Sequence, residues 1–457
     1  MFRMPGARRN PDDRCGAWVR SVLLAAATVD VGQGAGQDLP PAWSASFPAA
    51  IEWVQVVGPP SEPALLVATA VGHLHLVEPG TGKALLPAPL AAGRGVRPAD
   101  ADGAPADTMY CFDRHALYAL RVTPPAGVKW QSGQAPKTDD YPGDPEQLRR
   151  RVGAAATPEG LLVVDSDGGV RLLDASDGRE RWRVDVGPLR TARLLVSGPA
   201  AVILAGTADR LRAIFLDLSK TPPVAAATAV PGGWPIWCRL TDHQLILLTP
   251  PQVFIQPHHG PPRAFSLEVS RVRAAATALY EPTSYPATMP ASAPCNEAPD
   301  GPRLIVAGGP HLHAYDLSSG RCVWSQHVAV GQTSDVESVG LRGDQFVAVY
   351  GEGVIVGSVL TGRIDARWDA PLAARLVSWE LRDKQLWVLF RDAADTGAPL
   401  RLVRVRLTMQ PESGPTESTA DVDLFSLASH AAPRATLWTE EYVVLVETSA
   451  LHAFRLP

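Results

Sequence analysis

Along most of the chain, short apolar runs alternate with small clusters of Gly, Asp, Ser and Pro. Leu161-Leu162-Val163-Val164 is one such run, and Asp165-Ser166-Asp167-Gly168-Gly169 closes it. Gly and Asp in that place favour a tight hairpin. Val170 to Leu173 makes the return strand. Asp174 to Gly178 is a second turn, in which Gly178 can take positive φ and Asp174 can accept backbone hydrogen bonds. A further strand carries Trp182. Three strands and two turns cannot cover both of their own faces, so neighbouring copies must do it.

The copies are present. Arg303 to Trp324 repeats the run, the turn and the closing residues, with Asp316, Gly320 and Trp324 in the places of Asp174, Gly178 and Trp182. Ala64 to Gly82 has Glu78 and Gly82 at the turn, and Thr108 to Val122 precedes a strand with Trp130. Gln345 to Trp368 keeps Gly362 and Trp368 with two extra residues between them. Ala200–Leu218, His243–Pro257, Gln385–Leu407 and Tyr442–Leu456 are more diverged hairpins. Nine hairpins at intervals of about 40 to 60 residues predict an all-β propeller of four-stranded blades. The last hairpin stops before its outer strand, while Ala42 to Phe47 holds an outer-strand Trp43 with no hairpin ahead of it. The amino-terminal strand is therefore expected to complete the carboxy-terminal blade, removing an exposed sheet edge. Residues 42–457 form one domain on this reading, and a monomer is expected. Ser132–Glu146, Glu281–Pro302 and Pro411–Asp421 are Pro-, Ser- and Thr-rich insertions expected to project from the rim.

Composition narrows the function. Hydrophobic residues make up 46% and charged residues 19%, so the chain can bury a large core. A net charge of -5 without a basic stripe argues against nucleic acid. Arg3, Arg8, Arg9, Arg14 and Arg20 precede Ser21–Val29 and a small-residue stretch, the order of a secretory leader, taken as residues 1–41. Export to a periplasmic or extracellular location follows, and no apolar run is long enough for a membrane span. The five cysteines, Cys15, Cys111, Cys238, Cys295 and Cys322, show no metal or haem spacing. The four outside the leader permit up to two disulfides.

The pattern Ala314-x-Asp316…Gly320…Trp324 resembles the tryptophan-docking repeat of quinoprotein-like (PQQ-like repeat) propellers, and Asp174…Gly178…Trp182 and Gly362…Trp368 match it in part. The resemblance implies that Trp182, Trp324 and Trp368 wedge between adjacent blades, with Trp43 and Trp130 as their equivalents. Eight blades are usual in that family. Its members divide between pyrroloquinoline-quinone dehydrogenases, with calcium and a catalytic Asp in a central funnel, and non-catalytic propellers, including the BamB-type scaffold of outer-membrane protein assembly. This chain has no adjacent cysteine pair of the kind that several of the dehydrogenases stack against the quinone.

The expectation is a non-catalytic exported scaffold without cofactor or metal, its partner another envelope protein. A quinone-dependent dehydrogenase is the alternative, and a carbohydrate-binding propeller a third. His73-Leu74-His75 and His311-Leu312-His313 put paired imidazoles on one strand face, a geometry that can take metal. Tyr118, Arg171, Ile355 and His452 fill the same repeat place elsewhere, which reads as packing. His258-His259 reads as a solvated turn. No nucleophile elbow, P-loop or dinucleotide fingerprint is present.

Overall fold

A computed structural model of the chain describes residues 37–99, 106–113, 116–133, 151–189, 192–207, 210–221, 223–241, 244–258, 260–267, 272, 278–280, 303–328, 335–342, 345–350, 353–369, 374–382, 385–392, 399–406, 421–428 and 433–457. Every regular element among them is a strand, and no helix there is long and apolar enough to cross a membrane. The leader through residue 36 and nearly all of the three insertions lie outside the described residues.

Among the described residues the strands form nine sheets, eight of four strands in meander order and one with a fifth strand added. In chain order, blades 1 to 8 span residues 51–91, 97–132, 151–185, 192–230, 237–266, 278–327, 336–369 and 374–427. Blade 9 takes three strands from the carboxy terminus (Ala435–Trp438, Tyr442–Val446, Ala450–Arg455) and its fourth, Trp43–Ser46, from the amino terminus. In that closing pair Trp43 lies opposite Ala453 and Ser46 opposite Ala450, antiparallel. Ring closure by the amino-terminal strand is thus observed, and the blade number is nine.

Nine apolar clusters hold the ring, one at each interface between neighbouring blades. Leu162, Leu172 and Trp182 of blade 3 pack on Ile203 and Ile214 of blade 4. Leu389 and Leu402 of blade 8 meet Leu445 and Phe454 of blade 9, and Val444 and Leu451 of blade 9 meet Leu65 and Val67 of blade 1. Strand alternation explains this: successive side chains point to opposite faces, and each face is covered by a different neighbour. The second and third strands are buried on both sides and read as near-continuous apolar runs, which is why the sequence displays them so plainly.

First strands touch between blades 3 and 4, 4 and 5, 6 and 7, and 8 and 9, so they stand nearest the ring axis and line its channel. Gln37–Leu39, which falls in the leader if the border is at residue 42, instead pairs in parallel with Asp421–Leu427 as a fifth strand of blade 8. Leu39 there covers the apolar cluster between blades 8 and 9, giving the edge a partner it would otherwise lack.

Candidate functional site

The repeat residues build docks between blades. In the turn between third and fourth strands, the Gly N–H donates to the carbonyl four residues back: Gly82 to Glu78, Gly178 to Asp174, Gly320 to Asp316 and Gly362 to Ser358, at 2.8–3.0 Å. All four glycines have φ of +70° to +72°, a left-handed conformation that side chains with a Cβ disfavour. The open space above three of them is filled by an indole from the preceding blade. Trp43 covers Gly82, Trp130 covers Gly178 and Trp324 covers Gly362, and an added Cβ would meet each ring at 2.6–2.7 Å. In each dock the indole Nε1 donates to the residue three before the glycine, at 2.6 Å to Pro79, 3.0 Å to Ala175 and 2.9 Å to Val359. Fully buried Arg303 also donates to Val359, at 3.2 Å, and to Leu360, so the dock between blades 6 and 7 is tied twice.

The Asp in the turn orders it. Asp174 Oδ1 accepts from the Ser176 N–H at 2.8 Å and its hydroxyl at 2.6 Å, and these bonds hold the Asp174 carboxyl below its ordinary range. Burial pushes the Asp316 carboxyl up, but hydrogen bonds from Ser318 and Ser319 outweigh it, and the net shift is downward.

Three docks depart from the pattern. Phe265, not Trp, covers Gly320, and Arg263 Nη1 donates to Ser318 at 3.1 Å beside it. Trp182 packs with Leu216 and Leu218 at a turn that has no glycine in the corresponding place. Trp368 is displaced. A bulge just before the indole sets Trp182 opposite Leu172 and Trp324 opposite Ala314, but in blade 7 that place, opposite Val356, belongs to Ala366. The two extra residues after Gly362 move Trp368 one pleat along, opposite Val354. Its ring packs on Phe390, centroids 5.5 Å apart, and its buried Nε1 has no hydrogen-bond partner.

The paired histidines are half-buried as the strand alternation requires. The His73 and His75 rings are 6.4 Å apart, and His75 meets Phe47 edge-on at 5.0 Å. His311 faces His327 across the strands at 4.8 Å. Burial, then the charge of the neighbouring imidazole, lowers the pKa of both His75 and His311. Among the described residues no group of three or more His, Cys, Asp or Glu could hold a metal ion. The same repeat place elsewhere ties the ends of the second strands: the Tyr118 hydroxyl donates to Asp113 at 3.0 Å, Arg171 meets Asp165 at 2.9 Å and His452 meets Glu447 at 3.5 Å. Cys111, Cys238 and Cys322 are unbridged, so no disulfide joins them. Full burial raises the Cys111 thiol to about 12, which makes it unreactive.

The accessible chemistry lies elsewhere. A cleft of about 420 Å3 opens beside the Trp130 dock, with Arg121, Val128, Lys129 and Ser176 in its walls. Asp107 holds Lys129 at 2.9 Å and balances its charge. On the channel wall, first strands of four blades carry the same bulge near their start, between Ile51 and Trp53, Arg151 and Gly153, Val336 and Ser338, and Leu376 and Ser378. The extra residue is re-aimed by such a bulge. Glu52, Glu337 and Val377 are exposed there, as is Ile236 just ahead of the first strand of blade 5. Repeat reading also missed a second tryptophan set on the first strands: Trp53 Nε1 donates to Val96 at 2.7 Å, Trp438 Nε1 to Ser378 at 3.0 Å, and Trp379 packs on Gly340.

No protein-family model matches the chain, and neither does any curated protein sequence. Among solved structures it is similar to BamB from Moraxella catarrhalis, at 13% identity and a TM-score of 0.44, over 77% of this chain and 96% of that one. It is also similar to the computationally designed Ika8 protein, at 10% identity and 0.42, over 92% and 100% of the two chains. Saccharomyces cerevisiae Sqt1 gives 8% identity and 0.46, over 92% and 99%. All three scores lie below 0.5, so the architecture rests on the strand pairing of this chain itself.

Proposed function

We propose that the protein is an exported ring without a reaction of its own, a scaffold that holds another protein, with envelope protein assembly as its setting. One observation carries the reading. The turn glycines of the repeat and the indoles that cover them join blade to blade, while the exposed side chains of the channel mouth (Glu52, Ile236, Glu337, Val377) come from four separate blades. A rigid frame presenting side chains from several blades lowers the ordering cost of binding a partner. The export-like amino terminus and the likeness of the repeat to quinoprotein-like propellers support the envelope setting.

A photo-crosslinking amino acid at Val377 or Ile236, in cells, should trap one envelope protein in a discrete adduct. Failure at both positions, with the protein folded and exported, overturns the reading. Pyrroloquinoline quinone and calcium mixed with the full chain should separate from it on gel filtration. Stoichiometric co-elution of the quinone absorbance would make the protein an enzyme instead.

A further inference from the structure

Charge on the first strands is of two kinds: Arg382 of blade 8 meets Glu380 at 3.5 Å and donates to the Thr439 carbonyl of blade 9, while three arginines of other blades stand apart. On the third and fourth strands and the turns between them arginines are engaged: Arg171 with Asp165, Arg181 with Glu159, Arg363 with Asp365 and Arg404 with Asp423. On the first strands of blades 2, 4 and 5, Arg97, Arg193 and Arg239 are exposed, and none has a hydrogen-bond or ion-pair partner among the described residues.

Their heights follow from register. Arg193 lies opposite Leu204 in a second strand ending at Thr207, and Arg239 opposite Ile246 in one ending at Thr249. Both guanidinium groups therefore start three residues in from the same end of the channel, on strands that touch. Arg193 also reaches toward the next blade. Burial raises the Cys238 thiol there, and the Arg193 charge opposes that rise. Arg97 stands at the mouth, opposite Phe112, the last residue of its second strand. Three residues of strand separate the two levels by about 10 Å. Glu52 in blade 1 and Glu337 in blade 7 are also exposed, with Arg434 exposed ahead of the first strand of blade 9.

We propose that the channel wall of blades 2, 4 and 5 seats an acidic, extended segment of the partner protein, with Arg193 and Arg239 holding carboxylates inside the channel and Arg97 one at its mouth. Guanidinium groups bind carboxylates through paired, charge-assisted hydrogen bonds. A cleft whose low-dielectric wall carries one sign of charge also focuses the field on an approaching anion. The two levels match carboxylates about three residues apart on an extended chain. This rests on the scaffold reading above.

The test is fluorescence anisotropy of the full chain with fluorescein-labelled octaglutamate, and octalysine as the opposite probe. Octaglutamate should bind and octalysine should not. Arg193→Gln and Arg239→Gln should each weaken binding about tenfold, with unchanged melting temperature because neither side chain has a partner to lose. Raising the salt should weaken binding further. Equal affinity for the double variant, or no octaglutamate binding at all, overturns the proposal. If crosslinking at Val377 still traps a protein in that case, the scaffold reading stands and only the arginine seat falls. A single-stranded oligonucleotide that binds more tightly than octaglutamate would overturn the protein segment in favour of nucleic acid.

Discussion

The dock between blades 6 and 7 and the junction between blades 7 and 8 use the same residue type to different effect. Trp324 sits over Gly362, donates to Val359 and shares that carbonyl with Arg303. Trp368, one pleat along, fills space against Phe390 and leaves its buried N–H without an acceptor. A repeat motif therefore does not guarantee a repeat interaction. In blades 2 and 6 the bulge is followed at once by the Trp and the indole reaches the neighbour's turn glycine, whereas in blade 7 Ala366 takes that place.

Trp324→Ala should produce the largest change. It empties a half-buried site between two blades and should lower unfolding free energy by about 3 kcal/mol, read by urea denaturation. Gly178→Ala comes next: its Cβ would fall 2.7 Å from the Trp130 ring at a φ of +72°. A loss of about 2 kcal/mol is expected, and no loss would show that the indole merely rests on the turn. The pair Trp324→Phe and Trp368→Phe separates the two junctions directly. The first removes a hydrogen bond and should cost about 1 kcal/mol, whereas the second removes an unpaired buried donor and should be close to neutral. Equal costs would erase the distinction between them.

Acid adds a subtler difference. His75 and His311 have lowered pKa values in the folded ring, so the folded state binds fewer protons than the unfolded one below the ordinary value of 6.5. Stability from these groups is complete above that value and is lost as pH falls through it toward their folded values. Melting temperature should decline on acidification from pH 7.5 to 5, and His327→Ala should lessen the decline by removing the like charge beside His311. On the channel wall, Glu52→Gln and Glu337→Gln should move stability by less than about 0.5 kcal/mol. A larger loss would mean that the wall belongs to the frame.

Much of the frame was legible because blade interiors are written in a strong signal. The second and third strands are apolar on both faces, the turns need Gly at positive φ, and the closing Trp recurs at a fixed offset. Those cues located nine hairpins and the amino-terminal closure. The first strands gave far less: Gly153-Ala154-Ala155-Ala156 and Trp237-Cys238-Arg239-Leu240 have no shared pattern, their side chains packing on first one neighbouring blade and then the other. Candidate chemistry was accordingly sought in the repeat itself, at His73, His75, His311 and His313, where the strands pack.

The sequence by itself determined the blade unit, its turn, its docking residue and the strand that closes the ring, because each is a local demand on backbone conformation or apolar periodicity. Only the tertiary structure decided which indoles reach a neighbour's turn, that Gln37–Leu39 belongs to the fold, and that unpaired arginines of blades 2, 4 and 5 lie on first strands. Those facts depend on register and on the order of blades around an axis. Residues far apart in the chain become neighbours there through ring closure, which leaves no trace in local spacing.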